Sequence, residues 1–366
     1  MTQFPAVGDG SGFSETQEVY REELQLAFRN RGMPLEALRY PVTPTGLHYL
    51  LVHYDIPAVD PAAWRLRVGG RVAAPLELSL EDVRKLPRKT LAVVMECAGN
   101  GRALMSPRRI SQPWLHEAIG GAEWTGTPLR GVLERAGLAR DAVEIVFTGL
   151  DRGIEGGEAQ NYQRSLPVNE ATRDEVLLAW AMNGAALEPQ HGFPLRLLVP
   201  GWYGMTSVKW LARITAVAEP FEGYQMDAYR IKQAPEESGM PVTRIQPRAL
   251  MIPPGIPEFL SSVRRFDAGR CTLRGRAWSG WGAIARIEVG VDGGKAWTDA
   301  SLGTAAGPYG WTPWTFEWDA TPGEYELCSR ATDAAGNVQP VDQPWNYRGL
   351  SNNMAQRVPV VVRGVS

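Results

Sequence analysis

Among the residues of this chain that could do chemistry, one thiol stands out. Cys97 closes the apolar run Leu91-Ala-Val-Val-Met-Glu96 and opens a turn of small residues, Ala98-Gly99-Asn100-Gly101, ahead of Arg102. The run reads as a buried strand of aliphatic residues. The glycines after it let backbone or a ligand come close. A thiol at a strand end, with a guanidinium five residues on, suits a soft-metal ligand or an activated nucleophile. A buried structural cysteine is the competing reading, because free thiols usually pack as small hydrophobes.

The rest of the sequence limits what Cys97 can be. There are three cysteines, Cys97, Cys271 and Cys328, and four histidines, His48, His53, His116 and His191. No His-x-x-x-His, Cys-x-x-Cys or haem-attachment motif occurs, so a conventional zinc site around Cys97 has no ligands to draw on. A metal there would need most of its ligands from a cofactor. A net charge of −2 gives no reason to expect nucleic-acid binding. No apolar stretch reaches membrane-spanning length. Met1–Gly10 lacks a basic and then apolar leader pattern, so a cytoplasmic location is expected, or a periplasmic one for a chain whose leader has been removed.

The elements that must position Cys97 can be read in outline. With 366 residues, two domains are expected. A helix is expected over Glu15–Arg31, and a hairpin from Trp64–Val68 through Gly69-Gly70 into Arg71-Val72. Ser79 caps a short helix that Pro87 stops, and a helix over Pro128–Ala136 ends at Gly137. Glu144–Thr148 reads as a strand and Asn169–Asp174 as a polar turn or short helix. The runs Glu175–Met182 and Leu195–Val199 are of ambiguous type. Such irregular alternation predicts a mixed α+β first domain, residues 1–237. After the linker-like Gln233–Pro241, short strands recur: Arg270–Ala277, Ala285–Val291, Trp314–Trp318, Tyr325–Thr332 and Arg357–Val362. This spacing predicts an immunoglobulin-like β-sandwich over 238–366. A Cys271–Cys328 disulfide is conceivable by analogy with antibody domains, and two free thiols fit a reducing compartment. Trp311, Trp314 and Trp318 read as core aromatics, with a subunit interface as the alternative.

Several segments together resemble the sulfite oxidase family of molybdenum enzymes, over nearly the whole chain after about residue 40. They are Met95-Glu-Cys-Ala-Gly-Asn-Gly-Arg102, Ala118–Gly126, Val176–Gly184 and His191–Trp210, followed by Ala277-Trp-Ser-Gly280, Asp292-Gly-Gly294 and Trp345–Asn352. The resemblance implies a sulfite-oxidase-type molybdopterin-binding domain followed by a dimerisation domain. It implies a molybdenum–pyranopterin dithiolene cofactor with Cys97 as the protein's metal ligand. It places His53, Asp151, His191, Arg196, Ser207 and Lys209 around that cofactor. Arg196 and Lys209 lie among apolar residues, where charges are rarely left unpaired, and an anionic ligand would satisfy both. It places Arg102 against an anionic substrate and Tyr229 beside substrate and metal, with Tyr224 as a rival for that role.

The resemblance further implies oxidation of sulfite to sulfate by oxo transfer. Electrons would pass to an external acceptor, since the chain carries neither a haem motif nor a dinucleotide fingerprint, and the enzyme would be a homodimer. The sequence departs from the sulfite-specific pattern at two aligned arginine positions. Leu51 occupies one and Trp281-Gly-Ala283 the other. Two lost charged contacts cost about 1.5–3 kcal/mol each, and Arg164, Arg230 and Lys232 are the candidates to replace them. Reduction of an S-oxide or N-oxide is one alternative. A non-catalytic dimeric interaction protein is another, which the joint presence of Cys97, Arg102, His191, Arg196 and Lys209 disfavours.

Overall fold

The apolar run ahead of Cys97 does form a strand. The computed structural model describes residues 13–14 and 19–364. In the first domain the main strands are β1 (Leu66–Gly70), β2 (Leu76–Leu78), β3 (Lys89–Glu96), β4 (Ile119–Pro128), β5 (Glu144–Glu155), β6 (Glu158–Pro167), β7 (Leu177–Met182), β8 (Arg196–Leu198) and β9 (Leu211–Val217). Strand β3 is paired with β4, β4 with β7, and β7 with β8, all antiparallel. The last four residues of β3 are buried, as a run without polar alternation requires. A second sheet runs β2-β1-β9-β5-β6 and is mixed, because β1 and β9 are parallel. Both ambiguous apolar runs are therefore strands.

Helices are short: α1 (Arg21–Arg29), α2 (Leu80–Arg84), α3 (Leu129–Ala136), α4 (Val168–Ala171) and α5 (Tyr224–Ala228). Ser79 caps α2 as its sequence predicts, its Oγ accepting from the Asp82 N–H at 3.1 Å while the Asp82 carboxylate accepts from the Ser79 N–H at 3.0 Å. Gly137, at φ +69°, closes α3.

Two local expectations are corrected. The helix expected over Glu15–Arg31 spans Arg21–Arg29, with residues 15–18 outside the described residues. It stops because Asn30 is drawn out of helical geometry: its side chain donates to Gln112 and accepts from the Val52 N–H. The hairpin strand opposite β1 is β2, not Arg71-Val72. Those two residues turn toward β9 and the end of α3 instead, where the Arg71 N–H donates to the Ala216 carbonyl and Val72 bridges Leu138.

The second domain is built from β10 (Arg248–Met251), β11 (Arg264–Asp267), β12 (Gly269–Trp278), β13 (Ile284–Gly290), β14 (Thr312–Ala320), β15 (Gly323–Asp333) and β16 (Gln356–Arg363). One sheet runs β10-β12-β14 and the other β11-β16-β15-β13. Met251, Leu273 and Trp314 of the first share a core with Ile287, Leu327 and Val360 of the second. Cys271 and Cys328 sit on different sheets and are free thiols, so no disulfide joins them. Trp314 and Trp318 are core residues, whereas Trp311 lies in the seam between domains with Trp278 and Val94.

That seam is more than apolar contact. Glu96, the last residue of β3, is buried. Its carboxylate meets the buried Arg248 Nε of the second domain at 2.9 Å and accepts from the Trp278 indole N–H at 2.8 Å. It also accepts from the Asn100 side chain at 3.1 Å. Removing one partner of a buried ion pair strands the other charge, at about 3–5 kcal/mol, whereas replacing both with apolar residues costs far less. We therefore expect Arg248→Met alone to lower stability by about 3–5 kcal/mol, and Glu96→Leu added to it to restore part of the loss. Urea denaturation followed by tryptophan fluorescence checks both.

Candidate active site

Two chambers meet at Cys97. The inner one, a tight space of about 60 Å³, is lined by His53, Asp151, His191, Arg196, Ser207 and Lys209 with Cys97 itself, so the residues that the resemblance assigns to the cofactor converge in one place. The outer one is wider, about 380 Å³, and is lined by Arg102 among others. Cys97, Leu51, His53 and Tyr229 border both. Tyr224 reaches only the outer chamber, so Tyr229 and not its rival stands at the junction.

The Cys97 turn is held from several sides. The Cys97 N–H donates to the Ala118 carbonyl at 2.9 Å, and the Gly99 N–H donates to Cys97 Sγ at 3.4 Å. Burial pushes the thiol pKa up, with the Gly99 N–H and the Arg102 charge opposing that shift. Gly99 is needed for a specific reason: a Cβ there would lie 2.7 Å from the Arg102 guanidinium, which folds back over the turn. Arg102 donates to the Arg348 carbonyl at 3.0 Å and to Ser111 Oγ at 3.1 Å. Three further contacts come from the second domain: Asn352 Nδ2 donates to the Gly101 carbonyl at 2.7 Å, the Ser351 N–H to the Ala98 carbonyl at 2.7 Å, and Arg248 pairs with Glu96.

Among the described residues, the inner chamber carries buried polar atoms without hydrogen-bond partners. His48 Nε2, Asp151 Oδ1, His191 Nε2 and Arg196 Nε are all without hydrogen-bond partners. Native interiors leave few such atoms, and each points to a missing ligand or water. Arg196 donates to the His191 and Ser207 carbonyls, both at 3.0 Å, and lies 4.9 Å from the Trp124 ring centre. Lys209 donates to the Leu51 and Gln190 carbonyls at 2.8 and 3.1 Å. Burial, with the Arg196 charge next, lowers the Lys209 pKa to about 7, and burial lowers that of Arg196 to about 10. Two basic groups without a carboxylate ion pair among the described residues, beside orphaned donors and acceptors, fit a polar anionic ligand. Gly120 leaves room for His48, because a Cβ there would lie 2.3 Å from its ring. Among the described residues no group of three or more His, Cys, Asp and Glu side chains gathers to hold a metal. A metal at Cys97 must take its other ligands from elsewhere.

At the junction the Tyr229 hydroxyl lies 2.8 Å from His53 Nε2. Burial raises the Tyr229 pKa far above the ordinary phenol range and lowers that of His53 to about 3. Both are neutral across working pH, so this is a hydrogen bond between uncharged groups.

The proposed compensating cations lie elsewhere. Arg164 donates to the Gln225 carbonyl, Arg230 to the Ser238 and Gly239 carbonyls, and Lys232 pairs with Asp227 at 2.7 Å. None lines either chamber. Trp281 is also distant from them, half-exposed beside Arg244. The outer chamber instead takes Arg109 and Arg348 beside Arg102. Both were missed, as was His48. Arg348 sits within the Trp345–Asn352 segment, but only the domain packing brings it to Cys97.

Comparisons with known proteins agree with this architecture. Residues 53–225 match the family model for the oxidoreductase molybdopterin binding domain, and residues 251–363 that for the Mo-co oxidoreductase dimerisation domain. The chain is an oxidoreductase of the molybdopterin-binding class. It is 34% identical over 347 residues to sulfite oxidase of Arabidopsis thaliana, covering 87% of each chain. It is 33% identical to mitochondrial sulfite oxidase of Mus musculus, spanning 88% of this chain and 62% of that one. It is also 31% identical to the NADH nitrate reductase of Solanum lycopersicum, of which it spans 40%. The crystal structure of the sulfane dehydrogenase SoxCD from Paracoccus pantotrophus superimposes with a TM-score of 0.78 at 29% identity, over 89% of this chain and 82% of that one. The chain belongs to the sulfite oxidase family.

The histidines set a pH response of the cofactor-free protein. Burial lowers His48 to about 4, His53 and His116 to about 3, and His191 to about 2. Between these values and 6.5 the unfolded chain binds more protons than the folded one, so stability is lost as the pH is lowered through that range. Asp151, raised by burial to about 7, acts oppositely, as does Glu117, also raised by burial. Four groups outweigh two. At about 1.4 kcal/mol per unit per group, we expect a net loss of a few kcal/mol between pH 7.5 and pH 5, read from urea midpoints at both.

Proposed function

We propose that the protein is a molybdenum-dependent enzyme that oxidises sulfite or a closely related sulfur anion and passes electrons to an external acceptor. The observation that carries this reading is the position of Cys97, between a chamber of orphaned polar atoms and a chamber of guanidinium groups. When bound, molybdopterin's molybdenum supplies two-electron oxygen-atom transfer. Cys97 would give it a thiolate. Burial holds the free thiol protonated, so binding the metal displaces that proton. Lys209 and Arg196 would hold the cofactor's anionic end, while His53, Asp151, His191 and Ser207 line its polar edges.

On the other side, Arg102 and Arg348 would hold the anion with charge-assisted hydrogen bonds. Tyr229 keeps its proton at working pH. With His53 protonated at Nε2 and donating to the phenol oxygen, the Tyr229 O–H is free to donate to a substrate oxygen. The likeness to a nitrate reductase supports a second reading, reduction of an oxide at the same site. The boundary between the domains is placed at residues 237 and 238, and the second domain, read as an immunoglobulin-like sandwich, would join two copies. Free thiols at Cys271 and Cys328 support a cytoplasmic setting.

Cys97→Ser is expected to abolish turnover and lower molybdenum content, measured by metal analysis of the purified protein. Full activity in that variant sinks the ligand assignment. Arg102→Gln removes a charged hydrogen bond of about 1.5–3 kcal/mol and should raise KM for sulfite about 10- to 100-fold. A steady-state assay with ferricyanide, on protein of verified molybdenum content, reads it.

A further inference from the structure

We propose that the outer chamber takes an organic sulfur oxyanion, a sulfinate bearing an apolar substituent, and that Arg109 is one of its anion-binding groups. This rests on the oxidase reading above and deepens it by naming the substrate class.

Arg109 belongs to the short strand Arg108–Arg109, paired through its backbone with Phe13–Ser14. Its guanidinium lies 5.4 Å from the Tyr347 ring centre, which fixes its direction. Its Nη1 is buried without a hydrogen-bond partner, and so is Arg348 Nε. Among the described residues Arg348 forms an ion pair with Asp227 at 3.6 Å and a side-chain hydrogen bond with Tyr224. Arg102, Arg109 and Arg348 therefore bring three positive charges to one chamber. Of the carboxylates lining it, Glu155 is engaged by the Tyr54 hydroxyl at 3.0 Å and the Gln225 amide at 2.9 Å, and Glu22 is on α1. Such a cluster is built for an anion.

The remaining walls are not built for an inorganic one. Leu51, Ile110, Trp114 and Leu350 line the chamber, and Ile154 at its edge is 76% exposed. At about 380 Å³, the chamber leaves much of its space unfilled by a four-atom anion. An alkyl group beside the charged head would cover that apolar surface. The reaction balances as R–SO₂⁻ + H₂O → R–SO₃⁻ + 2H⁺ + 2e⁻. One S–O bond forms at the sulfur lone pair, both O–H bonds of water break, and the electrons leave to a one-electron carrier such as ferricyanide.

Two unreactive anions test the chamber without turnover: butanesulfonate and sulfate, titrated against the molybdenum-loaded protein with tryptophan fluorescence as readout. Butanesulfonate should bind at least about tenfold tighter than sulfate. Arg109→Gln should weaken both about tenfold or more, Arg109→Lys should recover part of that loss, and Ile110→Asp should bring the two affinities close together. Equal affinities in the unaltered protein, or an Arg109→Gln variant that binds both normally, overturn the proposal. In turnover, butanesulfinate should exceed sulfite in kcat/KM about tenfold, and a preference for sulfite overturns the substrate class. Loaded protein that turns over neither anion sinks the oxidase reading instead, with the binding preference still deciding what the chamber holds.

Discussion

The buried contact between Glu96 and Arg248 is the constraint on which the site depends. Glu96 is the residue before Cys97, and its carboxylate is surrounded by Arg248, Trp278 and Asn100. A carboxylate taken out of water must be paired and hydrogen-bonded or it will not stay charged there. Satisfying it requires the second domain, because Arg248 and Trp278 come from β10 and β12. The strand that presents the thiol is therefore anchored across the domain seam. Asn100 closes the loop: one end of its amide meets Glu96, and the other accepts from the Ala118 N–H at 3.1 Å. The second domain is part of the machinery that fixes Cys97.

From that anchor the division of labour follows. The inner chamber places orphaned donors and acceptors around a strand end, and it is expensive for the protein to hold empty. Burial lowers His48, His53, His191 and Lys209 toward their neutral forms and raises Asp151. Each shift records desolvation that an internal partner does not repay. A ligand that hydrogen-bonds these groups supplies what folding alone leaves out, so cofactor binding and stability are linked. The outer chamber is different in kind, since its cations sit on backbone or aromatic supports and its apolar walls need no partner.

Much of this was legible in the sequence, for physical reasons. The run Leu91–Glu96 could only be a buried strand, and the Ser79 cap and the Gly137 stop are local signals whose geometry depends on a few neighbouring residues. Seven cofactor-side residues converge because short motifs fix positions that lie on adjacent strands and turns. What failed depends on distant partners. The first helix stops where Asn30 is captured by Gln112 and Val52, and the β1 hairpin is reset by β9, which lies more than a hundred residues away. Arg348 and Arg109 carry no local mark of function, and a charged side chain beside aromatics looks like any surface arginine. Only the packing of one domain on the other turns Arg348 toward Cys97. The expectation that an arginine had been displaced at Trp281 placed the loss at a half-exposed residue that borders neither chamber.

Because Cys97 lies on the boundary, the two chambers can change separately. A substitution at Ile110 or Arg109 alters what the outer walls recognise and leaves β3, Gly99 and the Glu96 clamp untouched. The reverse does not hold. Gly99 cannot gain a Cβ without displacing the Arg102 guanidinium, and Gly120 cannot gain one without displacing His48. Both glycines are therefore tied to the thiol's immediate surroundings. Leu51 is the exception that joins the chambers: its carbonyl accepts from Lys209 on the cofactor side, while its side chain borders the outer space. The backbone duty is open to any residue, so the side chain is free to set the polarity of the outer wall. An apolar residue there changes the outer wall and leaves the Lys209 hydrogen bond of the inner chamber intact.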